Sequence, residues 1–175
     1  FLRRYPKFQL ELQLNAERPD PVMTGVDVIV RLGNWPTGNL ISKRIGSSRL
    51  FLCASPDYLR RHGTPLSPGD LHDHVCLARH NSYEWRFTGP AATQRIHITG
   101  AVISNESDVL LSLARSGVGI MRFSEHVVQA DLLAGTLVRL LPEFEAMTDV
   151  PVYLAYQSRR QLNPRIRAFV DYLSE

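Results

Sequence analysis

Polar residues crowd one short run, Asn105-Glu106-Ser107-Asp108, between an apolar segment and the expected start of a helix. Free backbone N–H groups at a helix N-terminus bind anions, and in open α/β sheets ligands lie outside the carboxyl ends of strands. The run therefore reads as a ligand contact or as capping by Asn105 or Ser107. His72, His74 and Cys76 alternate, so on a strand they share one face. Two imidazoles and a thiol suit zinc, but a fourth ligand is not apparent, and the competing reading is a turn-to-strand junction. Asp27 heads an apolar run after Gly25, as a catalytic carboxylate or as one satisfied by backbone N–H groups or an arginine. The chain contains no G-x-S-x-G, H-E-x-x-H, G-x-x-x-x-G-K-[ST] or G-x-G-x-x-G; Gly117-Val118-Gly119 lacks the third glycine at the required offset. A hydrolase using Ser116 or Ser124 with a histidine has no motif behind it, and the chain is expected not to be an enzyme.

Elements of both periodicities must position these residues. Phe8, Leu10, Leu12 and Leu14 alternate with Gln9, Glu11 and Gln13, the pattern of an edge strand. A short helix is expected over 19–24, stopped by Gly25, and 26–32 reads as a strand buried on both faces and paired in parallel. Strands are expected at 40–45 and 49–54, separated by Gly46-Ser47-Ser48. A helix over 56–62 follows, with Ser55 as cap and Gly63 as stop. Then come a helical turn opened by Ser67-Pro68-Gly69-Asp70, a strand at 75–78 and a hairpin of 83–87 with 93–99. The second half reads as strand 101–104, helix 107–115, strand 118–121, a helix from Ser124 to 130 and strand 136–141. Strand 150–156 and a helix begun by Asn163-Pro164 close the chain.

With 175 residues, 44% hydrophobic and 21% charged, the chain is one globular domain or two small lobes, burying about 70% of its unfolded surface. Its 20 Lys and Arg are interleaved with 17 Asp and Glu, so the formal charge of +3 forms no basic block of the kind that marks a nucleic-acid tail. Cys53 and Cys76 form no C-x-x-C pair, which predicts a reduced, cytoplasmic protein. No apolar run approaches the roughly 18 residues of a membrane span. The opening Phe1-Leu2-Arg3-Arg4-Tyr5-Pro6 lacks the apolar core of a signal peptide and reads as the last turn of a helix, as in a fragment.

Several phrases in order resemble the effector-binding domain of bacterial LysR-type transcriptional regulators. They are the opening six residues, Gly25-Val26-Asp27-Val28-Ile29-Val30-Arg31-Leu32-Gly33, Leu40-Ile41-Ser42-Lys43-Arg44-Ile45-Gly46 and Cys53-Ala54-Ser55-Pro56-Asp57-Tyr58-Leu59. Asp70-Leu71 with His74 and Cys76-Leu77, Glu84-Trp85-Arg86-Phe87, Gly117-Val118-Gly119-Ile120 and the stretch from Ser158-Arg159 to Phe169 continue the match. The resemblance implies an α/β fold of the type 2 periplasmic-binding-protein kind, two Rossmann-like lobes around an interlobe cleft. Lobe I would be 1–52 plus 153–175 and lobe II 53–152, crossed by strands 49–54 and 150–156. The winged helix-turn-helix that binds promoter DNA, its linker helix and the first strand of the domain would lie outside this chain. A homodimer or homotetramer is implied, with Phe1, Tyr5, Phe8, Leu10 and Leu12 facing the partner. No cofactor, metal or membrane is implied, and the rival function is a solute-binding transport protein of the same fold.

Carried onto this sequence, the effector cleft falls on Asn15, Ala16 and Glu17, on Arg31 and Gly33, on Arg79, His80 and Asn81, on Asn105, Glu106 and Ser107, and on the segment after Gly119. Where relatives read an apolar pair and a proline, this chain has Arg122-Phe123-Ser124. An arginine just beyond a strand end can fork onto a carboxylate, with Arg79 as a second contact, which implies a small anionic or carboxylic effector. The other reading of Arg122 is an ion pair with Glu106 or Glu125. Ser158-Arg159-Arg160 with Arg165 and Arg167 reads as a solvated face rather than a phosphate site.

Overall fold

Val150-Pro151-Val152-Tyr153-Leu154-Ala155-Tyr156, β-branched and aromatic, forms the central strand of a three-stranded sheet. The computed structural model describes residues 1–14, 25–33, 40–89, 92–144, 150–157 and 163–175. In chain order these carry β1 (Val28–Leu32), β2 (Ile41–Ser48), β3 (Leu50–Ala54), α1 (Pro56–His62), a 3-10 helix (Pro68–Asp73), β4 (Leu77–Arg79), β5 (Glu84–Thr88), β6 (Thr93–His97) and β7 (Val102–Ser104). Then follow α2 (Ser107–Arg115), β8 (Met121–Ser124), α3 (Glu125–Ala134), β9 (Val138–Leu140), a 3-10 turn (Pro142–Phe144), β10 (Val150–Tyr156) and α4 (Pro164–Tyr172). They divide into two compact units, Phe1–Ser47 with Val150–Glu175 and Ser48–Asp149. The division falls a few residues from the expected 52 and 153, because β3 takes both neighbours, β8 and β9, from the second unit while β10 pairs within the first.

In the first unit the sheet order is β1-β10-β2, with β1 antiparallel to β10 from Val28↔Tyr156 to Leu32↔Val152. Leu154, Tyr156 and Val170 form its core, with Val28, Ile41 and Ile166 packed around them. Three expectations are corrected here. Residues 8–14 form no strand, since no described segment supplies them with a ladder; Leu12 is 78% and Leu14 91% exposed. The 26–32 strand is neither parallel nor buried on both faces, because Val30 and Leu32 of β1 are exposed. Gly46-Ser47-Ser48 is no turn but the end of β2. The expected helix over 19–24 lies outside the described residues, as do Ser158, Arg159 and Arg160.

In the second unit β3 is buried on both faces: Phe51 and Cys53 enter one core cluster with Leu110, Met121 and Val128, while Leu52 and Ala54 enter another with Tyr58, Trp85 and Ile120. Helix α1 starts where Ser55 Oγ accepts the Tyr58 N–H at 3.2 Å and stops at Gly63, φ +81°. The expected hairpin is β5 with β6, antiparallel. β4 and β7 are parallel, in register from Leu77↔Val102 to Arg79↔Ser104. The expected 118–121 strand is displaced: only Ile120 bridges Cys76, and the ladder with β3 begins at Met121. Gly119 allows this approach, since a Cβ there would lie 2.5 Å from the Val75 carbonyl oxygen.

Candidate functional site

Three strands of the second unit end on one edge. β4 and β7 run in parallel, and the Leu77 N–H donates to the Ile120 carbonyl at 2.8 Å while the Ile120 N–H donates to that of Val75 at 2.8 Å, so the chain entering β8 runs with them. Their carboxyl ends therefore gather Arg79, Asn105 and the β8 residues, the place where open α/β sheets hold ligands. The His80 N–H donates to the Ser104 carbonyl at 3.0 Å, clamping the turn after β4 to the end of β7. Asn81 completes that turn at φ +60°, a conformation asparagine tolerates better than most residues.

A cavity of about 130 Å³ opens at this edge. Its lining includes the apolar Leu77, Trp85, Met121 and Phe123 and the polar or charged Arg79, Ser82, Ser107, Arg122 and Ser124. The structure thus brings together Arg79, Ser107 and Arg122 of the sequence-predicted residues, but not His80, Asn81, Asn105 or Glu106, which lie nearby without lining it. Glu106 stands at the N-cap of α2 without a side-chain cap bond; Asn105 Nδ2 donates to its carboxylate at 3.3 Å, and its own N–H donates to Ser104 Oγ at 3.0 Å. The expected capping by Asn105 or Ser107 is therefore not found: Glu106 holds the N-cap position, with no side-chain cap bond. Ser82 and Trp85 were not among the sequence-predicted residues, and Ser124 fell within the predicted segment after Gly119 without being singled out as a contact. Only the hairpin pattern, which turns Trp85 inward, carried a signal for one of them.

Arg122 lies within β8, opposite Leu52, rather than beyond a strand end. Its guanidinium carbon stands 5.5 Å from the centre of the buried Phe87 ring, a cation–π contact that fixes the side chain over an apolar wall. Glu125, one expected partner, is held by Arg49 instead: Arg49 Nε donates to Glu125 Oε2 at 2.9 Å, and this hydrogen-bonded pairing keeps the carboxyl below the usual range. In the first unit Arg31 is half-buried on β1 opposite Tyr153, and the Gly33 N–H donates to the Pro151 carbonyl at 2.9 Å with φ +92°. Asn15, Ala16 and Glu17 lie outside the described residues.

The zinc reading finds no support: among the described residues no three His, Cys, Asp or Glu side chains gather for a metal. Cys76 is buried, its Sγ lies 3.7 Å from the Leu71 carbonyl, and burial pushes the thiol up to about 12. Asp27 is exposed. No helix among the described residues is long and apolar enough to cross a membrane.

A sequence profile described as LysR substrate binding domain matches residues 1–175. The HTH-type transcriptional regulator CrgA of Neisseria meningitidis serogroup B is 30% identical over 185 residues, covering 100% of this chain and 59% of that protein. The probable HTH-type transcriptional regulator LtrA of Klebsiella pneumoniae is 29% identical over 180 residues, covering 100% of this chain and 58% of its own length. The solved regulatory domain of CrgA matches with a TM-score of 0.88 at 30% identity, over 99% of this chain and 86% of that one. The chain therefore spans 58% and 59% of these two curated relatives. Its fold is the periplasmic-binding-protein-like α/β fold of such regulatory domains.

Proposed function

The chain belongs to the LysR substrate binding domain family of transcriptional regulators, and from that premise we propose that its second unit seats the carboxylate of a small effector between Arg79 and Arg122. The observation that carries this reading is that two arginines and three serines, Ser82, Ser107 and Ser124, line one cavity. Guanidinium groups fork onto carboxylates with charge-assisted bonds, and serine hydroxyls can donate to the remaining lone pairs. Size limits the guest: about 130 Å³ is below the roughly 300 Å³ of an ordinary small-molecule site, so this cavity holds a few-atom head rather than a whole drug-sized ligand. Arg31 and Gly33 of the first unit remain candidate effector residues.

Effector binding would act by favouring one conformation of the regulator, with coupling typically about 1–3 kcal/mol. Promoter recognition would belong to the part of the regulator outside this chain, and the HTH-type names of the relatives favour a regulator over a solute-binding transport protein. A thermal-shift screen of small carboxylates against their neutral amide isosteres tests the proposal. Stabilisation by at least one carboxylate and by none of the amides is expected; equal response to acid and amide would remove the anionic reading.

A further inference from the structure

Tyr58 is fully buried, and its hydroxyl ties α1 to the stretch that links the 3-10 helix to β4. It sits on α1, accepts the Val75 N–H at 2.9 Å, and lies 3.1 Å from His74 Nδ1. His74 closes the 3-10 helix, its own N–H donating to the Leu71 carbonyl at 3.3 Å. Val75 leads into β4, and its carbonyl accepts from Ile120. The proton positions follow from the burial. If His74 donated to Tyr58, the phenol would accept twice and its own O–H would be left buried without an acceptor, the costly case. The phenol therefore donates to a neutral imidazole that carries its proton on Nε2.

We propose that this Tyr58–His74 bond is an acid-released latch on the segment that enters β4. A proton added at Nδ1 removes the acceptor that the buried phenol has among the described residues, and it adds charge beside a second imidazole. That second group is His62 of α1, stacked on the Tyr58 ring at 4.6 Å between centroids and 22° between planes; the His74 ring lies 5.8 Å from the same ring. The surrounding charges are Arg61 near Tyr58 on α1, Asp70 and Asp73 on the 3-10 helix, and the buried Cys76 thiol beyond Val75. Asp70 accepts from the Leu66 and Ser67 N–H groups and from Ser67 Oγ, bonds that keep it ionised, so its charge draws His74 upward together with that of Asp73. On β6, which packs against the 3-10 helix, Arg95 faces Glu84 at 3.3 Å, and neither it nor His97 is among the charges acting on His74.

Desolvation first, and His62 second, hold His74 below the ordinary histidine value, against the pull of Asp70 and Asp73. The sign follows. With the folded value depressed, the latch is whole above the unfolded value near 6.5, and its stability is lost as pH falls through the lower folded value. Because β4 ends at Arg79, loosening its entry reaches the candidate site from behind, although the latch itself does not depend on that reading.

The test uses the 175-residue chain with three readouts. Imidazole titration by NMR should place His74 below about 6.5. Protection of the Val75 amide, corrected for intrinsic exchange, should fall at least about tenfold between roughly pH 8 and pH 5, the window in which histidine changes charge. The variant H74Q supplies a neutral amide that does not titrate, so its melting temperature should lose the part of the pH dependence that wild type shows in that window. A His74 that titrates at or above the ordinary value, Val75 protection equal at both pH values, or an unchanged pH profile in H74Q would each overturn the latch. If H74Q does not fold, the first two readouts on wild type decide alone.

Discussion

At the scale of single residues, one anchor of the second unit carries no mark in the sequence. Asp131 is nearly buried and accepts from Arg115 Nε and Nη2, both at 2.7 Å, and from Thr136 Oγ1 at 2.8 Å, joining α2 to the end of α3. The Arg115 hydrogen bonds chiefly, with Thr136 behind them, hold its carboxyl below the ordinary aspartate value. The stabilisation is present above the unfolded value near 4 and lost as pH falls through the lower folded one. Replacing Asp131 with Asn should cost about 1–2 kcal/mol, less than for a fully buried pair because Arg115 is half exposed, and should flatten the acid limb of a denaturation profile. Thiol chemistry gives a second check. With Cys53 and Cys76 both buried and the Cys76 thiol pushed up to about 12, a disulfide-forming reagent should label neither until the chain is unfolded. Arg122 was legible as a departure from the family pattern, but Phe87, the ring it lies over, was not. The two meet only because β5 turns Phe87 inward while β8 pairs with β3.

At the scale of elements, local signals were read well where they suffice and badly where a ladder decides. The limits of α2 and β10 match expectation because an apolar stripe and a β-branched run need no distant partner to be recognised. Gly46-Ser47-Ser48 looks like a turn and lies in a strand, because pairing with β10 overrides local preference. Residues 9–14 have the strand pattern without a ladder from any described segment, so their amides should exchange within the fastest class, while those of Leu154 and Tyr156 persist. Gly119 presents a sharper case. The nearest obstacle to a side chain is the Val75 backbone rather than a flexible tip, so Gly119→Ala should destabilise by about 1–3 kcal/mol or more in urea denaturation. Gly46, which would meet nothing within 4 Å, serves as the control and should tolerate Ala within about 0.5 kcal/mol.

At the scale of the whole molecule, family membership came from many weak phrases in a fixed order, whereas the division into units follows from which strands share a sheet. Dispersed arginines without a recognition helix among the described elements should give only weak, salt-sensitive DNA binding in a mobility-shift titration. Leu12 and Leu14, both exposed and lining one groove with the exposed Val30 of β1, should support self-association. Leu12→Asp with Leu14→Asp should shift sedimentation toward monomer, and a wild type that is monomeric at high concentration would remove that role. The central claim concerns Arg122, and calorimetry of a carboxylate found by thermal shift tests it most directly. Arg122→Ala should weaken binding by about 1.5–3 kcal/mol, and Arg122→Lys should restore only part, because lysine keeps the charge but loses the fork. Affinity unchanged in both variants would contradict the proposed seat.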